Sequence, residues 1–306
     1  MLRFVVNRLL LALPTLWAVL TLVFVLVRVV PGDPTIVVLG DQATPAARAA
    51  LRERLGLDKP LVAQYADFML QIARGDLGKS LVTNRPITTD VAAVLPYTIE
   101  LTIAALIIGS VIGIPLGVVA ALNRGNMIDR AAGTFAVLGI AMPSFWLGIL
   151  LIYVFSVELG WLPSGRMGGP EHYVLPVVTL GVFLIAGFMR LVRSSMLEVM
   201  ESEFVKLARI KGLSEGVVIW KHCLRNALIP VLTLCGVFVS NLITGAIVTE
   251  TVFAWPGIGR LTYEAVIYRD FPLLQAVIIL KSILILSINL GVDILYAYVD
   301  PRIRLA

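Results

Sequence analysis

The sequence predicts an all-α, polytopic membrane protein of six transmembrane helices, and three observations predict it. Of its 306 residues, 58% are hydrophobic and only 15% are charged. A surface in water cannot carry that much apolar side chain. Six apolar runs are long enough to cross a hydrocarbon core of about 30 Å, which takes roughly 20 helical residues. The basic residues behind the net charge of +5 gather at the ends of those runs, as membrane proteins place them. That placement speaks against nucleic acid as a partner and for lipid as the solvent.

The first run, about 9–30, ends at Pro31-Gly32-Asp33-Pro34. It is too long for the apolar core of a signal peptide and lacks a small-residue cleavage site, so it reads as a retained helix. Residues 31–95 read as a helical insertion outside the membrane. Thr44-Pro45 opens one helix with Ala47, Leu51 and Leu55 on one face, and Gly56 stops it. Asp58 and Pro60 open a second with Leu61, Tyr65, Phe68, Met69 and Ile72 apolar, ending at Gly75. Both are expected to lie against the outer ends of the membrane helices, either as a structural lid or as a docking surface. The stretch Ala73 to Ser80, ARGDLGKS, imitates a nucleotide-binding loop with Ala in place of the first Gly. Such a loop needs a strand before it and a long helix after it. A short amphipathic helix and Pro86 stand there instead, so a Gly-rich turn is expected.

The second run follows Pro96 to about 122 and carries Gly109, Gly113 and Gly117 at four-residue spacing. In lipid such a ladder brings helix backbones together, within the bundle or against another subunit. Pro115 is a possible kink. The remaining runs are about 131–157, 173–192, 228–248 and 273–298. With the N-terminus inside, the inner side holds Arg3, Arg8, Arg124, Arg130, Arg190, Arg193, Lys206, Arg209, Lys211, Lys221, Arg225, Arg302 and Arg304. The short outer loops hold only Arg166, Arg260 and Arg269. This bias puts both termini, and the loop 199–227, in the cytoplasm.

That loop is the distinctive one. Ser202 is a candidate N-cap for a short helix with Phe204, Leu207 and Ala208 on one face. Gly212 supplies a left-handed stop, Ser214 caps a second helix, and Pro230 opens the next span. Ionisable groups inside spans are functional candidates because burying them is costly. Glu100 and Glu250 lie near outer ends, where interfacial water can also serve them; Asp293 braces or caps an inner end. Lys281, over two turns into the last span, can meet a solute carboxylate, snorkel, or pair within the bundle. Lys281, Glu100 and Asn241 are the candidate lining of a translocation path. Cys223 and Cys235 form no disulfide framework, and His172 and His222 stand too far apart for a metal cluster. No catalytic constellation and no usable ATP site is visible.

The loop resembles the coupling loop of ATP-binding-cassette importer permeases. Lys206-Leu207-Ala208 stand where that motif has Glu-Ala-Ala, Gly212 matches its glycine and Pro230 its closing proline, at a longer spacing than in the sugar importers. EFVKLARIKGLSE and HCLRNALIPV are closer to the peptide-importer branch, which also serves glutathione and nickel. RLLLALPTL, VVPGDP, LGLDKPLVAQY, GDLGKS, LPYTIELTIAA, VFAWPGIGRL, RDFPLLQA and VDPRIR extend the likeness over nearly the whole chain.

The resemblance implies a type I importer permease fold over 1–306 in the bacterial inner membrane. It implies a homologous second permease, two cytoplasmic ATPase subunits and an extracytoplasmic binding protein. ATP and Mg belong to the ATPases, so this chain is expected to be no enzyme and to hold no cofactor. Glu203, Phe204, Lys206, Leu207, Ala208, Arg209, Lys211, Gly212 and Ser214 would meet an ATPase. Trp255, Pro256, Gly257, Ile258 and Gly259, exposed by a Pro-Gly turn, would meet the binding protein; the plainer reading is a tight turn with Trp255 at the interface. A self-sufficient secondary transporter, which needs inverted repeats or broken helices at the midplane, and a non-transporting scaffold are the alternatives.

Overall fold

The computed structural model describes residues 2–29, 34–40, 43–54 and 56–299. The tail with Arg302 and Arg304, the Pro31-Gly32-Asp33 turn and Leu55 lie outside the described residues. Helices α1 (Leu2–Val29), α2 (Pro34–Leu39), α3 (Pro45–Arg54) and α4 (Leu61–Ala73) come first. α5 (Ile87–Leu122), α6 (Met127–Ala141), α7 (Ser144–Leu151) and α8 (Glu171–Met200) follow. α9 (Glu203–Ile210), α10 (Glu215–Val217), α11 (Leu224–Val252), α12 (Ile258–Ile267) and α13 (Phe271–Val299) complete the chain. Among the described residues, five helices are long and apolar enough to cross a membrane, or 6 if the bent pair α6–α7 is one span.

α8 is the axis of the bundle. Of its most apolar window 61% is buried, against 17% for α1 at the periphery. The glycine ladder explains how α5 reaches it. A Cβ at Gly109 would stand 2.5 Å from that of Leu184, and one at Gly117 2.7 Å from the carbonyl oxygen of Met189. Only a residue without a side chain lets the two backbones lie so close, so the ladder serves packing within this chain. Leu101, Leu184, Phe188, Val192 and Met196 fill the joint. α5 passes through Pro96 and Pro115 as one helix starting at Ile87, a full two turns before the boundary that Pro96 suggests.

The third span is not one rod. α6 and α7 meet at 101°. Pro143 has no N–H to donate and holds Met142 extended, at ψ 123°. The run's continuous apolar character hid this break. Beyond Leu151 the helix widens into π-helical turns, Ile152–Glu158. The fifth span differs as well. Pro230 lies inside α11 rather than opening it, and helical backbone runs without interruption from Glu215 through π-helical turns at Val218–Cys223.

α4 rests on α1, as expected of the insertion. Thr21 and Tyr65 share a 2.7 Å hydrogen bond, Phe24 meets Tyr65 edge-on at 5.1 Å, and Arg28 donates to Gln64. On α3, Leu51 is buried but Ala47 is exposed, so its expected apolar face is only partly used. The stretch after α4 is a turn. Gly78 donates to Asp76, and an antiparallel bridge joins Lys79 to Pro86. The Ser80 hydroxyl donates to Asp270 at 2.5 Å, and the N–H of Leu81 to the same carboxylate at 3.1 Å. That buried acid fastens the insertion to the start of α13.

Candidate functional site

Two connections flank the fifth span, and each carries one candidate cluster. The first is α9 with Gly212. Ser202 takes the extended N-cap conformation, but its hydroxyl donates back to the carbonyl of Val199 rather than capping α9. Glu203 sits in the first turn and pairs with Lys206 at 2.7 Å. Gly212 has φ +77°, and the N–H of Leu213 bonds the carbonyl of Ala208 at 3.3 Å. This is the left-handed stop in which glycine avoids the Cβ penalty. Arg209 reaches across it with two hydrogen bonds to Glu215, 2.8 and 3.3 Å. The carboxylate pushes the Arg209 guanidinium further above its ordinary value, chiefly through that hydrogen bond. The bend is thus fixed by backbone conformation and by a charge clamp.

α9 is amphipathic, with the split in a different place from the expected one. Val205 and Ala208 are buried and share a cluster with Val218 and Cys223. Ala208 therefore does not belong to the outward face assigned to it. That face is Phe204, Leu207 and Ile210, the last 80% exposed, continued by Leu213 and Trp220. Lys206, Lys211 and Ser214 are also exposed around it. Residues three apart share a helix side, so a periodicity count extended past Ala208 would have found Ile210.

The second cluster follows α11 and turns inward. Trp255 and Ile258 are 0% exposed. The Trp255 indole N–H donates to the carbonyl of Tyr97 at 3.1 Å, and Tyr173 packs edge-on at 4.7 Å. The expectation that the Pro-Gly turn exposes Trp255 and Ile258 fails. The turn instead folds these side chains down onto α5 and the start of α8, leaving Pro256 half-buried. Gly257 and Gly259 are buried too, and a Cβ at Gly259 would stand 2.6 Å from the backbone of Ile247.

Glu250 lies beneath them, 0% exposed, and is not left to interfacial water. Its carboxylate accepts from the Thr98 hydroxyl at 2.8 Å and from the Arg260 N–H at 3.0 Å. The N–H of Ile258 donates to the same Thr98 hydroxyl at 2.8 Å. The bonds of Thr98 to Glu250 and Ile258, and of Trp255 to Tyr97, join chain segments over 150 residues apart.

The three residues proposed for a path do not come together. Glu100 is exposed and accepts from the Tyr173 hydroxyl at 2.7 Å. Lys281 is buried, within electrostatic reach of Glu250. Asn241 lines a cavity beside the α6–α7 bend. Asp293 braces an end of α13 by pairing with Arg8 at 3.2 Å. Sequence reading missed Asp129, which is buried and receives Arg193 through both nitrogens of the fork, together with the N–H of Gly125. An acid one turn inside a helix start and an arginine near a helix end were the available signal.

Residues 113–305 match the family described as binding-protein-dependent transport system inner membrane component, and residues 1–102 match its N-terminal counterpart. The chain belongs to this family. The permease is 42% identical to the dipeptide transport system permease protein DppB of Alkalihalophilus pseudofirmus, over 99% of this chain and 100% of that one. It is 44% identical to the glutathione transport system permease protein GsiC of Escherichia coli, over 99% of each. Among solved structures, a chain of an inward-facing MetNI methionine ABC transporter matches 71% of the permease with a TM-score of 0.61 at 21% identity. That likeness shows the fold. The permease is thus a multi-pass inner-membrane protein of the peptide-type ATP-binding-cassette importers.

Proposed function

We propose that this permease forms, with a second permease, the path of an ATP-driven importer of short peptides: dipeptides, oligopeptides or glutathione. The observation that carries the substrate class is likeness over the full length of a dipeptide permease and a glutathione permease. Nickel, the other cargo of the branch, is not favoured by those relatives. Dependence on a binding protein also displaces the self-sufficient secondary transporter.

In this reading both termini and the α9–Gly212 loop face the cytoplasm, and residues 31–95 face the outside. ATP and Mg bind to two separate ATPase subunits, where hydrolysis occurs. Phe204, Leu207 and Ile210 supply apolar contact to one of them, and Lys206 and Lys211 supply charge. Arg209, clamped to Glu215, keeps the bend stiff. The loop then acts as a lever, and closure of the ATPases rocks the bundle between inward and outward openings. A binding protein outside delivers the solute.

Gly212→Pro tests the lever. Proline forces a negative φ onto a position at +77°. Uptake in cells should be lost while the protein still reaches the membrane; normal uptake by that variant would refute the lever.

A further inference from the structure

The bend between α6 and α7 opens a cavity of about 500 Å³ against α8 and α11. Small-molecule sites commonly enclose about 300–1,000 Å³. The cavity lies well inside the membrane: Asn241 is about 16 Å along α11 from Val252, near the middle of a core of about 30 Å. Leu147, Leu180, Phe183 and Phe238 give it apolar walls, the two rings edge-on at 5.7 Å. Ser144 and Asn241 supply polar groups, and no charged side chain lines it.

The polar groups are the informative part. The Thr179 hydroxyl, also on the wall, is occupied by the carbonyl of Leu175 at 2.8 Å. Among the described residues, neither the Asn241 amide nor the Ser144 hydroxyl has a hydrogen-bond partner, and Asn241 is exposed. An unpaired amide facing hydrocarbon is costly, so this wall faces water or a polar ligand rather than lipid. A carboxamide both donates and accepts, which is the complement of a peptide group. With no cation present the site does not read a carboxylate, and with no anion it does not read an ammonium group or a metal ion. The walls suit the uncharged part of a solute.

We infer that this cavity is a subsite for one side chain of the transported peptide. Phe183 and Phe238 enclose the side chain, and Asn241 and Ser144 pair with the peptide group beside it. The inference rests on the peptide reading given above. It assigns part of the importer's selectivity to the membrane, in addition to whatever the binding protein contributes.

The complete importer in proteoliposomes, with its binding protein, tests it. Uptake of labelled leucyl-leucine and alanyl-alanine is compared at equal amounts of assembled complex. Leu147→Trp, which fills the cavity, should lower the leucyl-leucine to alanyl-alanine ratio about tenfold. Phe183→Leu, which enlarges it, should raise that ratio. Asn241→Leu should slow both peptides about tenfold. The binding protein is the same throughout, so a change in ratio belongs to the permease. A wild-type complex that takes up neither dipeptide overturns this inference, and one that also takes up neither glutathione nor an oligopeptide overturns the peptide reading with it. A wild type that transports both, beside variants that keep its ratio and rates, overturns the inference alone.

Discussion

The two connections on either side of α11 look alike in sequence and do opposite things in the structure. Both turn at glycine and carry apolar side chains, although the inner one is longer and basic. On one side, Gly212 turns the chain so that Phe204, Leu207 and Ile210 stay exposed. On the other, the Pro256-Gly257 turn drives Trp255 and Ile258 into a fully buried position over Glu250. The difference lies in what each meets. α9 packs on the bundle through its Val205 and Ala208 side, and among the described residues its second apolar face stays exposed. The outer turn meets Tyr97 and Thr98, about three turns into α5, which supply both hydrogen bonds and a floor. One connection leaves an apolar face uncovered among the described residues, and the other is covered.

Substitutions on the two sides test that contrast. The largest effect is expected from Trp255→Ala, which removes a fully buried ring and should cost about 3–5 kcal/mol of stability. Thermal unfolding of the detergent-solubilised permease reads it, and an unchanged midpoint would mean that the outer turn is not a cap. Thr98→Val should cost about 1–3 kcal/mol in the same measurement, because Glu250 and the Ile258 N–H both lose their shared partner. Gly212→Ala comes next. A Cβ there meets nothing within 4 Å, so the penalty is the left-handed backbone alone, about 1 kcal/mol. Ile210→Asp should leave stability within about 0.5 kcal/mol yet reduce solute uptake more than tenfold. A stable, fully active Ile210→Asp importer would show that the exposed face is not a contact.

Local features were legible in the sequence and tertiary ones were not. Ser202 and Gly212 mark helix ends by backbone preference, which needs no knowledge of neighbours. The ladder of Gly109, Gly113 and Gly117 announced a close helix contact by its spacing, though not that the contact was α8. Trp255 was misread because a Pro-Gly turn says only that the chain reverses; whether its side chains are covered depends on Tyr97, 158 residues earlier. Asp129 and Arg193, 64 residues apart, each lie near a helix end, but nothing local shows that they pair. Pro143 did carry a readable signal in the extended preference of Met142. The apolar length of the run outweighed it, and the bend and its cavity were lost.

The coupling surface is tested most directly by a cysteine at Ile210 in the assembled importer, with Cys223 and Cys235 replaced. A short bismaleimide should join that cysteine to an ATPase subunit, and in intact cells only a membrane-permeant thiol reagent should reach it. No ATPase adduct, or labelling by an impermeant reagent added outside, would contradict the account.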